Sequence, residues 1–186
     1  MMFFTNEMLG RRIYLVYTTR VLNGGEFMNT LRELRSDEAH LLQDFLYEAI
    51  FVPAGVTPPE KSIVELPELA LYYENFGSKQ GDNCIAADLD GKIIGAVWTR
   101  IVNDYGHIDD ETPSLAISLY KEFRGKGIGK AMMLKMLELL REQGYRQVSL
   151  SVQKANYAVK MYLSLGFRII REHDEEFVMV CNFQQL

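Results

Sequence analysis

The chain is short of cysteine and histidine and has no long apolar run, and each shortage removes a class of protein. Its two cysteines, Cys84 and Cys181, sit inside apolar stretches with no metal-ligand spacing and no disulfide framework. They read as small buried hydrophobes and make a reducing cytoplasm the simplest home. No apolar run approaches the roughly 18 residues that cross a bilayer. The N-terminus lacks the charged start and apolar centre of a signal peptide. Repeats and low-complexity segments are absent. The net charge of −5 disfavours nucleic acid as a partner and suits a cationic substrate. The three histidines, His40, His107 and His173, are scattered, and none is well placed as a catalytic base.

What is present is a chain of 186 residues, enough for one domain with a full core. Residues 1–27 stand apart. Ile13 to Tyr17 has strand character, with Arg11, Arg12 and Arg20 around it. The segment reads either as an extension that adds an edge strand or dimer contact, or as leader sequence upstream of a natural start at Met28. The second reading rests on Asn23-Gly24-Gly25-Glu26-Phe27, which back-translates to a purine-rich stretch resembling a bacterial ribosome-binding site.

From Met28 to Leu186 the pattern is that of a single domain. Thr30–Leu34 reads as a strand. Ser36 caps a helix that runs to Phe51, with Asp37 and Glu38 in its first turn. Prolines 53, 58 and 59 mark a loop, and Leu66–Phe76 reads as a shorter helix stopped by Gly77. Cys84–Leu89 and Ile93–Val102 are strands joined by Asp90-Gly91, a hairpin signal because both turn positions want positive φ. Leu115–Tyr120 is a strand, Gly127–Gln143 a helix and Gln147–Gln153 an alternating strand. Ala155–Leu165 is a helix closed by Gly166. Phe167–Glu172 and Phe177–Phe183 complete the set. The order predicts an α/β, mixed α+β fold whose central sheet carries helices on both faces.

The chemistry centres on Ser114–Lys130, where an apolar strand runs into Arg124-Gly125-Lys126-Gly127-Ile128-Gly129 and a helix starts at once. Strand, glycine turn and helix N-terminus form an anion site. A P-loop is excluded, because Gly129-Lys130 precedes Ala131 and position 124 holds arginine. A dinucleotide fingerprint needs a different glycine spacing and an early βαβ unit.

Arg124-x-x-Gly127-x-Gly129, with Asn156, Ala158 and Tyr162 downstream and Leu165-Gly166-Phe167 closing that helix, resembles the acetyl-CoA motif of the GNAT N-acetyltransferases. The likeness covers roughly Thr30 to Phe183. It implies a mixed, mostly antiparallel sheet and an acyltransferase using acetyl-CoA without a metal. It also implies a small-molecule amine acceptor, no nucleic acid or membrane partner, and a possible homodimer. Within it, the backbone of Arg124, Gly125, Lys126, Gly127, Ile128, Gly129 and Lys130 cradles the pyrophosphate, and Arg124 and Lys126 add charge. Ile117 and Leu119 line the pantetheine arm, and the Leu119 N–H holds the developing oxyanion. Asn156 binds the arm or caps its helix. Tyr162 is the general acid for the leaving thiolate.

For the acceptor side the residues leave alternatives open. Glu111 is the first candidate base and Asp110 the second, from the run Asp109-Asp110-Glu111, which reads equally as solvated surface. Trp98, Thr99, Arg100, Tyr72, Tyr73, Glu74 and Tyr105 are candidate walls. Arg100 is either half of a structural ion pair or a carboxylate ligand. Acetylation of a protein N-terminus or lysine, and a non-catalytic acyl-CoA sensor, are the rival functions.

Overall fold

Apolar runs such as residues 93–98, buried on both faces, build one sheet through the middle of the chain. The computed structural model describes residues 16–18 and 28–184. Among them are β1 (Val16–Thr18), β2 (Met28–Glu33), β3 (Asn83–Leu89), β4 (Lys92–Arg100), β5 (Ser114–Leu119), β6 (Gln147–Gln153), β7 (Arg168–Glu172) and β8 (Glu176–Asn182). They run in the order β1-β2-β3-β4-β5-β6-β8-β7. Every neighbouring pair is antiparallel except β5–β6. The mixed, mostly antiparallel sheet expected from the sequence is therefore the one found. The turn Asp90-Gly91 has φ of 52° and 85°, as its residues require. β1 pairs with the start of β2, so part of the predicted Ile13–Tyr17 strand joins the sheet edge. The rest of the 1–27 segment, with the Met28-start reading attached to it, lies outside the described residues.

Two helical layers cover the sheet. α3 (Ile128–Glu142) buries Ile128, Met132, Met133, Met136, Leu137 and Leu140 in a cluster with Leu115 and Leu119 of β5 and Val148, Leu150 and Val152 of β6. On the opposite face α1 (Leu41–Ala49) buries Leu42, Phe45 and Leu46 against Ala86, Ala96 and Trp98. Successive β5 residues therefore face different layers. Leu115, Ile117 and Leu119 look toward α3, and Ala116, Ser118 and Tyr120 toward α1; the Ser118 hydroxyl donates to the Phe45 carbonyl.

Three expected helices differ from those found. The segment from Ser36 divides into a 3-10 turn, Ser36–Glu38, and α1. Glu38 folds back to accept the Arg35 N–H and binds Arg32 and Arg35, so this first-turn acid caps its own tight turn instead of a long helix. The Leu66–Phe76 helix shrinks to α2 (Pro67–Ala70), preceded by a 3-10 turn at Lys61–Glu65. Beyond Ala70 the carbonyls are drawn sideways. Trp98 Nε1 donates to the Tyr72 carbonyl, and Arg100 donates to those of Leu71 and Glu74. The last helix, α4, starts at Ala158 and ends at Ser164. Tyr157, just before α4, is 69% exposed.

The site is created by how little β5 and β6 pair. They meet only at Ser114–Ser149, with Ser149 N–H donating to the Pro113 carbonyl, and diverge beyond that point. The result is a wedge-shaped slot, closed at Ser114 and open toward Leu119.

Candidate active site

The turn after β5 supplies the first part of the site. Gly125 and Gly127 have φ of 73° and 81°, a region that costs an L side chain roughly 1–2 kcal/mol. A Cβ on either would meet nothing within 4 Å, so the turn stands clear of the protein on its outer side. The first backbone bond of the α3 N-terminus runs from Ala131 N–H to the Gly127 carbonyl. Among the described residues the N–H groups from Gly125 to Lys130 have no acceptor. A row of unpaired donors at the positive end of a 15-residue helix suits a pyrophosphate. Lys126 lies over the Phe123 ring at the rim.

Arg124 takes a different part from the one expected. Its N–H donates to the Lys121 carbonyl, so it is not one of the free donors. Its guanidinium donates to the Leu119 carbonyl (2.7 Å), the Glu48 carbonyl (3.0 Å) and the Glu48 carboxylate (2.8 Å). The charge is consumed in a staple joining α1, the end of β5 and the cradle.

β5 supplies the second part. Tyr120 N–H donates to the Ile94 carbonyl, and Leu119 is opposite Gly95. In an antiparallel ladder the bonded positions alternate, so Ala116 and Ser118 bond β4 while the N–H and C=O groups of Ile117 and Leu119 point into the slot. The Leu119 carbonyl there is held by Arg124, and its N–H stays available. Gly95 makes this possible: a Cβ would collide with the Leu119 side chain. A glycine inside a strand signals such a close approach, and Gly95 is the position that signal could have flagged.

Tyr162 is 7% exposed, in the same apolar cluster as Leu115 and Leu119, with its ring 5.8 Å from that of Phe167. Burial pushes its phenol well above the usual range, so it holds its proton throughout the neutral region. No protein hydrogen bond to its hydroxyl is present among the described residues, and no buried oxygen lacks a partner, so the hydroxyl keeps an opening to solvent. The Asn156 side chain accepts the Ala158 N–H and caps α4.

On the α1 side the floor of the slot becomes more exposed along β6. Ser149 is fully buried, Ser151 half-buried and Gln153 exposed. The Ser151 hydroxyl donates to Glu176. Gly106 crosses the closed end, where a Cβ would lie 2.6 Å from Ser114 Oγ and 3.1 Å from the β6 backbone. Asp104 is next to it. Its carboxylate accepts the Gly106 N–H at 2.9 Å and has the Tyr72 and Ser114 hydroxyls as further partners. Burial raises its pKa. Arg100, by contrast, is a structural group: 3% exposed, it grips Asp82 through Nε at 2.9 Å and anchors the turns after α2.

The acidic run lies elsewhere. Glu111 and Asp110 are exposed and border a polar depression with Asn83, Gln143, Gly144 and Arg146. That is the C-terminal end of α3, about 22 Å along the helix from the cradle. Asp109 braces the loop: hydrogen bonding by Thr112 and the Glu111 N–H holds its carboxyl below the usual range. Glu111 is thus not brought together with Tyr162 and the cradle. The signal for Asp104 was weak, because its partners Tyr72 and Ser114 are far from it in sequence.

Comparison with known proteins agrees with this geometry. Residues 46–167 match the model of the acetyltransferase (GNAT) family. The chain belongs to that family. It is 35% identical to the N-acetylaspartate synthetase of Rattus norvegicus over 130 residues, 63% of this chain and 42% of that protein. The chain thus spans about two fifths of that relative's length. Among solved structures it resembles the PaiA N-acetyltransferase of Thermoplasma acidophilum in complex with coenzyme A, with a TM-score of 0.64 and 20% identity over 82% of this chain and 98% of that one. It also resembles a phosphinothricin acetyltransferase of Sinorhizobium meliloti in complex with AcCoA, with a TM-score of 0.60 and 22% identity over 83% and 88% of the two chains. At these identities the structures speak for the fold. No group of side chains that could hold a metal ion is found among the described residues.

Proposed function

We propose that this protein transfers the acetyl group of acetyl-CoA to a primary amine of a small molecule, by direct attack within a ternary complex. The observation that carries the reading is the continuity of two backbone surfaces. Unpaired N–H groups from Gly125 to Lys130 lead straight onto the open edge of β5 at Leu119 and Ile117. A pyrophosphate and the arm attached to it need that sequence of contacts. The residues present therefore fit acetyl-CoA, whose chemistry is an activated acetyl thioester.

The chain's own groups then divide the work. The glycine turn binds anionic oxygens, and the β5 edge aligns the arm. Leu119 comes first from the cradle and Ile117 second, so the far end of the arm reaches Ile117. We therefore move the oxyanion donor expected at Leu119 one pleat along, to the Ile117 N–H. Tyr162, protonated and on the α3 side, donates to the departing sulfur. Cys84 and Cys181 are buried and free, and desolvation raises both thiols, Cys181 to about 11. Neither suits a covalent acetyl carrier, which supports direct transfer, and both suit a cytoplasmic setting.

The test is calorimetric titration with CoA, followed by thiol release from acetyl-CoA across a panel of small amines. Tight CoA binding with amine-dependent release is expected. CoA binding without release for any amine would leave a sensor and remove the transferase reading.

A further inference from the structure

The acetyl donor occupies the α3 side of the slot in the proposed reaction, because the cradle and Tyr162 both lie there. The amine must then arrive from the α1 side, over Ala116 and Ser151. One half-buried acid, Asp104, stands at that mouth. Asp104 contacts Ser114, and Ser114 is one pleat repeat, about 7 Å, from Ala116.

Resting on the acetyltransferase reading, we propose that Asp104 is the general base that takes the proton from the acceptor ammonium, with Tyr72 as the residue that positions it. The neighbours of Asp104 suit the task. Tyr72 offers its hydroxyl and in turn receives the Tyr105 N–H. Gly106 N–H and Ser114 Oγ hold the carboxylate from the loop and from β5. His107 lies nearby, and its ring Nδ1 is tied to the Val102 carbonyl. No lysine or arginine pairs with Asp104 among the described residues, so its charge is left for a cationic partner.

The step balances. The carboxylate takes one proton from R–NH3+. The freed lone pair forms the C–N bond to the thioester carbonyl carbon as the C–S bond breaks. The sulfur takes the Tyr162 proton, and the second proton leaves the nitrogen to solvent. Desolvation raises the Asp104 pKa, which makes its carboxylate a stronger base. Glu111, the base expected from sequence, is exposed at the other end of α3 and faces no part of the slot.

Two small acceptors separate this role from a structural one. Ethanolamine is an ammonium ion near neutrality and needs a base; methoxyamine is neutral there and does not. For Asp104→Asn the ratio of ethanolamine to methoxyamine turnover should fall on the order of 100-fold, with CoA affinity retained. An equal loss with both acceptors would overturn the assignment, because misfolding or misplacement does not distinguish them. Wild-type protein that binds CoA and releases no thiol with either acceptor would overturn the transferase reading itself.

A readout independent of turnover uses Tyr72→Phe. Removing that hydroxyl donor should raise the titration midpoint of the Asp104 carboxyl, followed by carbon-13 NMR, and shift the acid limb of the ethanolamine pH profile upward with it. A midpoint and limb that stay in place would also overturn the proposal.

Discussion

The two sides of the slot are built from different materials. The α3 side is backbone: a glycine turn, unpaired helix donors and one open strand edge. The α1 side is side chain: Asp104, Tyr72, Ser114, Ser151 and Glu176, brought in from two loops and three strands. A backbone site depends on φ angles and strand register, which a short motif specifies. A side-chain site depends on how distant loops cross. The difference predicts that changes on the α3 side act on donor binding through backbone geometry, and that changes on the α1 side act on protons and acceptors.

The largest expected effect tests the backbone claim. Gly127 has φ of 81° with open space where its Cβ would be. Gly127→Val must either hold the left-handed region at a cost of about 1–2 kcal/mol or turn the loop. CoA affinity should drop at least ~100-fold by calorimetry, a loss of roughly 3 kcal/mol. Normal affinity would show that the turn does not hold the pyrophosphate.

Tyr162→Phe comes next. The hydroxyl makes no protein hydrogen bond among the described residues, so its removal should leave thermal stability within about 1 kcal/mol. Turnover should fall on the order of 100-fold at unchanged CoA affinity. Unchanged turnover would remove Tyr162 from the mechanism. This outcome is also needed for the comparison to hold, since Tyr162 is the one side chain the α3 side is asked to supply.

How much of this was legible in the sequence follows the same division. The glycine turn and the open strand edge before it were readable from Arg124-x-x-Gly127-x-Gly129, because glycines and an apolar strand fix backbone directly. The hairpin at Asp90-Gly91 was readable for the same reason. Arg124 was misjudged: a basic residue beside an anion site looks like a ligand, and only the approach of Glu48 from α1 shows it to be a staple. The helix after Leu66 was overextended because its carbonyls are captured by Trp98 and Arg100, partners that no local propensity contains. Glu111 was favoured because it precedes β5 in sequence. The loop instead folds so that Asp104 lies beneath the slot and Glu111 at the far end of the sheet.

Arg124 links the two sides, and a medium-sized effect should expose it. Arg124→Met should weaken CoA binding about 10-fold. Glu48→Gln, which leaves the cradle's charge untouched, should give part of the same loss because it loosens the same peptide at Leu119. If Arg124 served as a phosphate ligand, Glu48→Gln would leave affinity unchanged or improve it, and Arg124→Lys would restore binding. A lysine cannot reproduce three bonds in a planar fork, so no rescue is expected.

The smallest effect separates the two sides by pH. Glu38 is tied to Arg32 at 2.7 Å and to the Arg35 N–H, and Arg32 also binds Asp88. Hydrogen bonding to Arg32, opposed by desolvation and reinforced by the Arg35 N–H, holds the Glu38 carboxyl down at about 2 against an ordinary value of 4.5. A depressed acid contributes stability that is fully present above its unfolded pKa. That stability is lost as pH falls from about 4.5 toward about 2, since the folded state resists the protons that the unfolded state accepts. The network lies where the chain leaves β2 and turns into α1, on the acceptor side, and no comparable acid cluster is tied to α3 among the described residues. Hydrogen exchange at stepwise lower pH should therefore show α1 losing protection before α3. Glu38→Gln should narrow the gap by destabilising α1 modestly at neutral pH and removing its extra acid sensitivity. Simultaneous loss of protection in both helices would mean that the two faces of the sheet unfold as one unit, and that the division drawn here is chemical rather than mechanical.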